Sequence, residues 1–83
     1  MNIKYIDGLI KVLLKAKTED EMLELLRSLY TVGELKEVSR RLEIIKLLKK
    51  GMPQREIAER LKVGIATVVR GSNEIKKGRF ENV

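Results

Sequence analysis

The 83 residues carry 18 basic and 12 acidic side chains, a net charge of +6, and neither Cys nor His. That length holds one domain at most, and the missing Cys and His exclude disulfides and the usual zinc ligands as staples for so small a core. Leu, Ile and Val are plentiful and aromatic residues scarce, a balance suited to a helical chain that gains stability by oligomerising. The basic excess favours a polyanionic partner, although a solvated, charge-rich helical surface has the same composition. No signal peptide is evident and the apolar runs are too short to span a bilayer, so a cytoplasmic protein with no membrane partner is expected.

The first predicted helix covers Tyr5 to Ala16. Ile6, Leu9, Ile10, Leu13 and Leu14 form an apolar stripe at helical spacing, while Lys11 and Lys15 share a solvated strip. Thr18 followed by Glu21 is a capping box that opens a second helix running to about Tyr30, with Met22, Leu25, Leu26 and Leu29 on its apolar face. Thr31 and Glu34 repeat that spacing before a third helix, Gly33 to Lys50. Leu35, Val38, Leu42 and Ile45 step along one side of it, with Ile44 and Leu47 widening the stripe. Gly51 is the expected stop, and Pro53 is expected in the first turn of the helix that follows.

The stretch Gln54 to Asn73, QREIAERLKVGIATVVRGSN, is predicted to be a helix-turn-helix. Ile57, Ala58 and Leu61 share one face of a helix from Gln54 to Leu61. Val63 plugs the turn, and Val68 packs a second helix, about Ile65 to Ile75, back on the first. Ile65, Ala66, Thr67, Val69 and Arg70 are left outward, a mostly small surface suited to close approach to base edges and thymine methyls. Such a turn usually has Gly where this chain has Lys62. A left-handed Lys costs on the order of 1 kcal/mol, so a slightly different turn is expected, with Gly64 opening the second helix and letting its N-terminus approach the DNA backbone. Gly71 is expected to interrupt that helix, Gly78 to end it, and residues 79–83, which lack an apolar pattern, to fray.

A pair of amphipathic helices in any small helical protein would also satisfy this periodicity. The offsets of small residue, turn and charge favour the helix-turn-helix. From Lys62 to Arg79 there are five basic residues, Lys62, Arg70, Lys76, Lys77 and Arg79, against Glu74 alone, so the charge excess flanks the candidate recognition helix. No catalytic constellation is evident: there is no Gly-rich phosphate loop, and Ser28, Ser39 and Ser72 lack a base partner, so no enzyme activity is expected.

Gly64 to Lys76, GIATVVRGSNEIK, resembles the Trp repressor family, especially its short members, with GIAT and RGSN intact. Gln54 to Glu56 matches the start of the family's first reading-head helix. Arg41 to Ile45 and Leu29 to Thr31 match more loosely. The resemblance implies an all-α fold, a helical bundle with a C-terminal helix-turn-helix, in an interleaved homodimer. The N-terminal helices, residues 1–50, would dimerise, and the heads, residues 51–78, would face successive major grooves of a palindromic operator. The family has a further C-terminal helix with no full counterpart up to Val83, which places dimerisation more heavily on the first three helices.

The resemblance also implies roles for single residues. Arg55 matches a guanine-reading arginine. Ile65, Ala66 and Thr67 would meet base edges, with Val69 beside them, and Ser72, Asn73 and Lys76 would contact phosphate. In the family, two arginines sandwich L-tryptophan; their matches are Arg41 and Arg70. Thr31 and Gly71 match further pocket positions, Ile45 is grouped with them, and Ser28 and Tyr30 replace leucines. Glu74 stands where the family has a serine that contacts the ligand's amino group. Its carboxylate could hold an ammonium more strongly than a hydroxyl, or pair with Arg41 or Arg70 and close the pocket without a ligand. The expected function is a DNA-binding transcriptional regulator, a repressor acting with or without L-tryptophan. The alternative is a helical dimerisation or adaptor module that does not read DNA sequence.

Overall fold

The computed structural model describes residues 3–83 and contains five helices and, among the described residues, no strand. They are α1 (Ile6–Leu14), α2 (Glu19–Leu29), α3 (Val32–Lys49), α4 (Gln54–Leu61) and α5 (Ile65–Lys76). The chain forms two compact units, Met1–Leu35 and Lys36–Val83, with the boundary inside α3.

In the first unit α1 is shorter than predicted. The Lys15 and Ala16 N–H groups donate to the Val12 and Leu13 carbonyls, a tightened last turn that ends the helix at Leu14. Thr18 caps α2, its Oγ1 accepting from the Glu21 N–H at 3.1 Å, but the Glu21 carboxylate reaches past Thr18 to the Lys17 N–H at 2.9 Å. The Thr31–Glu34 box is fully reciprocal: Thr31 Oγ1 accepts from the Glu34 N–H at 3.1 Å, and Glu34 Oε1 accepts from the Thr31 N–H at 2.9 Å. Neither α1 nor α2 has a buried residue, and Ile10, Leu14, Leu23 and Leu29 stand exposed. Of the apolar stripes expected to pack, Ile6, Leu9, Leu13, Met22, Leu25 and Leu26 are half-buried and the rest exposed.

The second unit holds the core. Ile57 of α4 and Val68 of α5 are 0% exposed and pack with Ile44 and Leu47 of α3; Leu48, Met52, Ala58, Leu61 and Val63 close around them. These are the residues whose three-and-four spacing predicts a shared face. Val38 and Leu42, predicted on the same stripe of α3, are exposed instead.

Three helices end the same way. After α3 the Met52 N–H donates to the Leu47 carbonyl at 3.1 Å and the Gly51 N–H to the Leu48 carbonyl at 3.0 Å; after α5 the Arg79 and Gly78 N–H groups reach the Glu74 and Ile75 carbonyls. Both are Schellman closures around a left-handed glycine. After α4 the Val63 N–H donates to the Ala58 carbonyl at 3.1 Å, and the left-handed residue is Lys62, with φ 55° and ψ 47°. The turn is therefore not a different one, as the absence of Gly led us to expect. It keeps the left-handed geometry and Lys62 bears the strain, because the Ile57–Val68 contact fixes where α5 must start.

Two further expectations are corrected. Pro53 is the residue before α4 rather than part of its first turn, and its carbonyl accepts from the Ile57 N–H. Gly71 does not interrupt α5, which runs unbroken to Lys76.

Two outcomes follow for stability. Lys62→Gly relieves the left-handed strain at a small entropic cost and is expected to raise unfolding free energy by about 0.5–1 kcal/mol in chemical denaturation; a lower midpoint would contradict the strain. The Thr31 backbone N–H, and then its hydroxyl, hold the Glu34 carboxyl below its ordinary 4.5. A depressed folded-state pKa contributes stability that is present above the unfolded value and lost as pH falls through the folded one. Thermal unfolding from pH 7 to 3 should show that loss at and below about 4.5 in the native chain and a flatter profile in Glu34→Gln.

Candidate nucleic-acid interface

α5 begins at Gly64, whose extended backbone (φ −67°, ψ 148°) turns the chain out of the Lys62 bend. The Thr67 N–H closes on the Gly64 carbonyl at 3.0 Å. Beyond Gly64 the first turn presents Ile65, 49% exposed, and Ala66; one turn on, Val69 is 38% exposed. Val68, between them in sequence, is the residue that faces the core. Burial of one side therefore fixes the rotation of α5 and so which residues point outward. Arg55 is exposed in the first turn of α4, and Asn73 and Lys76 are exposed near the end of α5. Thr67 and Ser72, also predicted DNA contacts, are half-buried.

The charge along this segment is sorted by one acid. Glu74 pairs with Arg79 Nε at 2.7 Å and with Lys77 Nζ at 3.5 Å. Of the five basic residues from Lys62 to Arg79, the exposed Lys62, Arg70 and Lys76 have no ion pair among the described residues. They carry the positive field available to an incoming polyanion.

A cleft of about 360 Å³ lies between α3 and α5 within the second unit. Val38, Arg41, Leu42, Ile44 and Ile45 form one wall, Thr67, Arg70, Gly71 and Glu74 the other, and Phe80 completes the lining. Five of the predicted ligand residues, Arg41, Ile45, Arg70, Gly71 and Glu74, meet here. Thr31 belongs to the first unit, where its hydroxyl caps α3. Arg41 pairs with Glu37 one turn away at 2.8 Å and Glu74 with Arg79 and Lys77; of the two roles open to Glu74, the pair with Arg41 or Arg70 is not seen among the described residues.

Gly71 makes the wall possible. A Cβ on it would meet Ile45 Cδ1 at 3.2 Å and Ile44 Cγ2 at 3.3 Å, so the absence of a side chain lets α5 lie close on α3. Phe80 was missed from sequence because it lies in a polar stretch with no periodicity. Its only signal was being the single Phe of the chain. Lys49 Nζ holds this segment by donating to the Phe80 and Val83 carbonyls.

Two helices crossed on a buried Ile–Val contact, a tight left-handed turn and an outward first turn of small residues define a helix-turn-helix protein. The family model described as Trp repressor protein matches residues 4–81. The chain belongs to the Trp repressor family, a family of DNA-binding transcriptional regulators. No curated protein and no solved structure matches it. Among the described residues no helix is long and apolar enough to cross a membrane.

Gly71→Val puts branched carbons into the two isoleucines. It is expected to lower unfolding free energy by about 1–3 kcal/mol; unchanged stability would show that α5 does not depend on this close approach.

Proposed function

We propose that the chain is a sequence-specific repressor that binds a palindromic operator as a cytoplasmic homodimer and blocks transcription by occupancy. The observation that carries the DNA-reading role is the outward face at the start of α5, Ile65, Ala66 and, one turn on, Val69, opposite the buried Val68 and flanked by Lys62, Arg70 and Lys76, which have no ion pair among the described residues. Small apolar side chains suit thymine methyls, and the cations suit phosphates. Arg55 is the proposed guanine reader. Lys76 and Asn73 are the proposed phosphate contacts, with Ser72 and the Gly64 backbone beside them. Thr67, half-buried against the cleft, would reach a base edge only at its outer side.

The homodimer is supported by the first unit: two helices with exposed leucines and isoleucines and no buried residue, in a chain too small to be secure alone. Binding without added tryptophan is the form we favour, because Glu74, the group that would take the ligand's ammonium, is engaged by Arg79 and Lys77.

Selection of bound duplexes from a random pool near physiological salt, with and without L-tryptophan, tests the proposal. A palindromic motif enriched in both arms is expected. A motif in the tryptophan arm alone would make the cleft a co-repressor pocket, and no motif in either would leave the adaptor function. On the selected site, Arg55→Ala should cost about 1–3 kcal/mol and relax one base position, whereas Lys76→Ala should weaken specific and random DNA alike and flatten the salt dependence. Equal losses on both DNAs for Arg55→Ala would remove it from base reading.

A further inference from the structure

We propose that Lys62 is a phosphate anchor for DNA, retained in a left-handed turn that glycine would make more stable. This inference deepens the regulator function proposed above and rests on the chain's binding DNA through α5.

Lys62 ends α4 at φ 55° and ψ 47°, whereas the equivalent ends of α3 and α5 place Gly51 and Gly78 in the left-handed region. A β-carbon is unfavourable there and glycine is not. Strained residues that persist are concentrated where the strain serves binding or switching, which turns attention to what the lysine side chain supplies. It supplies nothing to the interior. Leu61 and Val63 on either side of it pack against the core, so Lys62 is the side chain that the bend presents to solvent. Nor does it complete an ion pair among the described residues: Glu59, three residues back on α4, leaves it unpaired.

Its place decides the partner. Lys62 lies three residues before Ile65, which keeps the two Cα atoms within about 10 Å of each other. Ile65 and Ala66 are the exposed residues that begin α5. A major groove is about 12 Å wide between its phosphate walls. A cation on a long flexible stem at the bend therefore reaches a wall phosphate when the first turn of α5 meets the base edges. Lys76 stands near the other end of the helix, about 16 Å from Ile65 along its axis, and cannot stand in for it.

A cation at the C-terminal end of α4 would also favour the helix dipole. Were that the reason for lysine, removing it would weaken the fold; relief of backbone strain predicts the opposite. For DNA, each phosphate neutralised changes the slope of log affinity against log salt by about 0.9. A contact that is neutral at 1 M salt is then worth about fivefold in affinity at 0.15 M and about fifteenfold at 0.05 M.

The test is fluorescence-anisotropy titration of the full chain onto a selected and a random duplex across that salt range, beside urea unfolding. Lys62→Gly should raise the urea midpoint and yet weaken both duplexes about fivefold at 0.15 M salt, with a slope shallower by about 0.9. Lys62→Arg keeps the charge and should bind like the native chain. Lys62→Asn tolerates the left-handed turn without a charge and should lose as much affinity as Lys62→Gly, which separates the missing charge from a loosened turn. Unchanged affinity in Lys62→Gly, a loss that Lys62→Asn does not share, an equal loss in Lys62→Arg, or a lower urea midpoint in Lys62→Gly would overturn the proposal. A selection that yields no motif removes operator reading and leaves the Lys62 contact readable on random duplex. A selected motif that Lys62→Gly binds with native affinity and slope removes the Lys62 contact alone. A native chain that binds no duplex overturns both.

Discussion

Everything in the reading head depends on Ile57 meeting Val68. The contact is fully buried and joins two helices of only 8 and 12 residues, lengths at which an isolated helix is marginal in water. Packing, rather than propensity, keeps α4 and α5 helical. Ile44 and Leu47 of α3 form the floor under that contact, so the third helix sets the height and tilt of the two above it. The outward direction of Ile65, Ala66 and Val69 is the geometric remainder once Val68 points in.

The same economy shapes the polar side. Very few ion pairs are made among the described residues, and all are local in sequence. Exposed pairs of this kind add little stability. Their effect is to choose which cations remain unengaged. Glu74 withdraws Lys77 and Arg79 from the field around α5 and leaves Lys62, Arg70 and Lys76 in it. A single carboxylate thereby separates residues that composition alone counts as equivalent.

Much of the fold was legible because it is written locally. Periodicity located all five helices, the two Thr–Glu spacings marked the starts of α2 and α3, and Gly51 and Gly78 marked stops that the structure closes as Schellman turns. The α4 bounds agree with the sequence expectation, and α5 runs one residue further. What failed was tertiary. Gly71 looks like a helix breaker by propensity, yet what it answers to is space: a Cβ there would stand 3.2 Å from Ile45 Cδ1. Lys62 looked unsuited to a left-handed turn, yet the contact on either side of it prevails. In the cleft, Arg41, Ile45, Arg70, Gly71 and Glu74 were marked by resemblance and do converge. Phe80 was invisible because nothing in a polar stretch announces which side chain a distant lysine will hold in place.

The left-handed lysine has a consequence beyond its strain. Two of the three like-shaped helix ends use glycine and the one inside the reading head does not. A joint that keeps its shape with an unsuitable residue is one whose shape is imposed from outside. Its identity is then open to be chosen for what it offers to solvent, and here it offers a positive charge at the bend between α4 and α5. The bend is evolvable: surface chemistry can be exchanged there at a cost smaller than the contact that holds the angle.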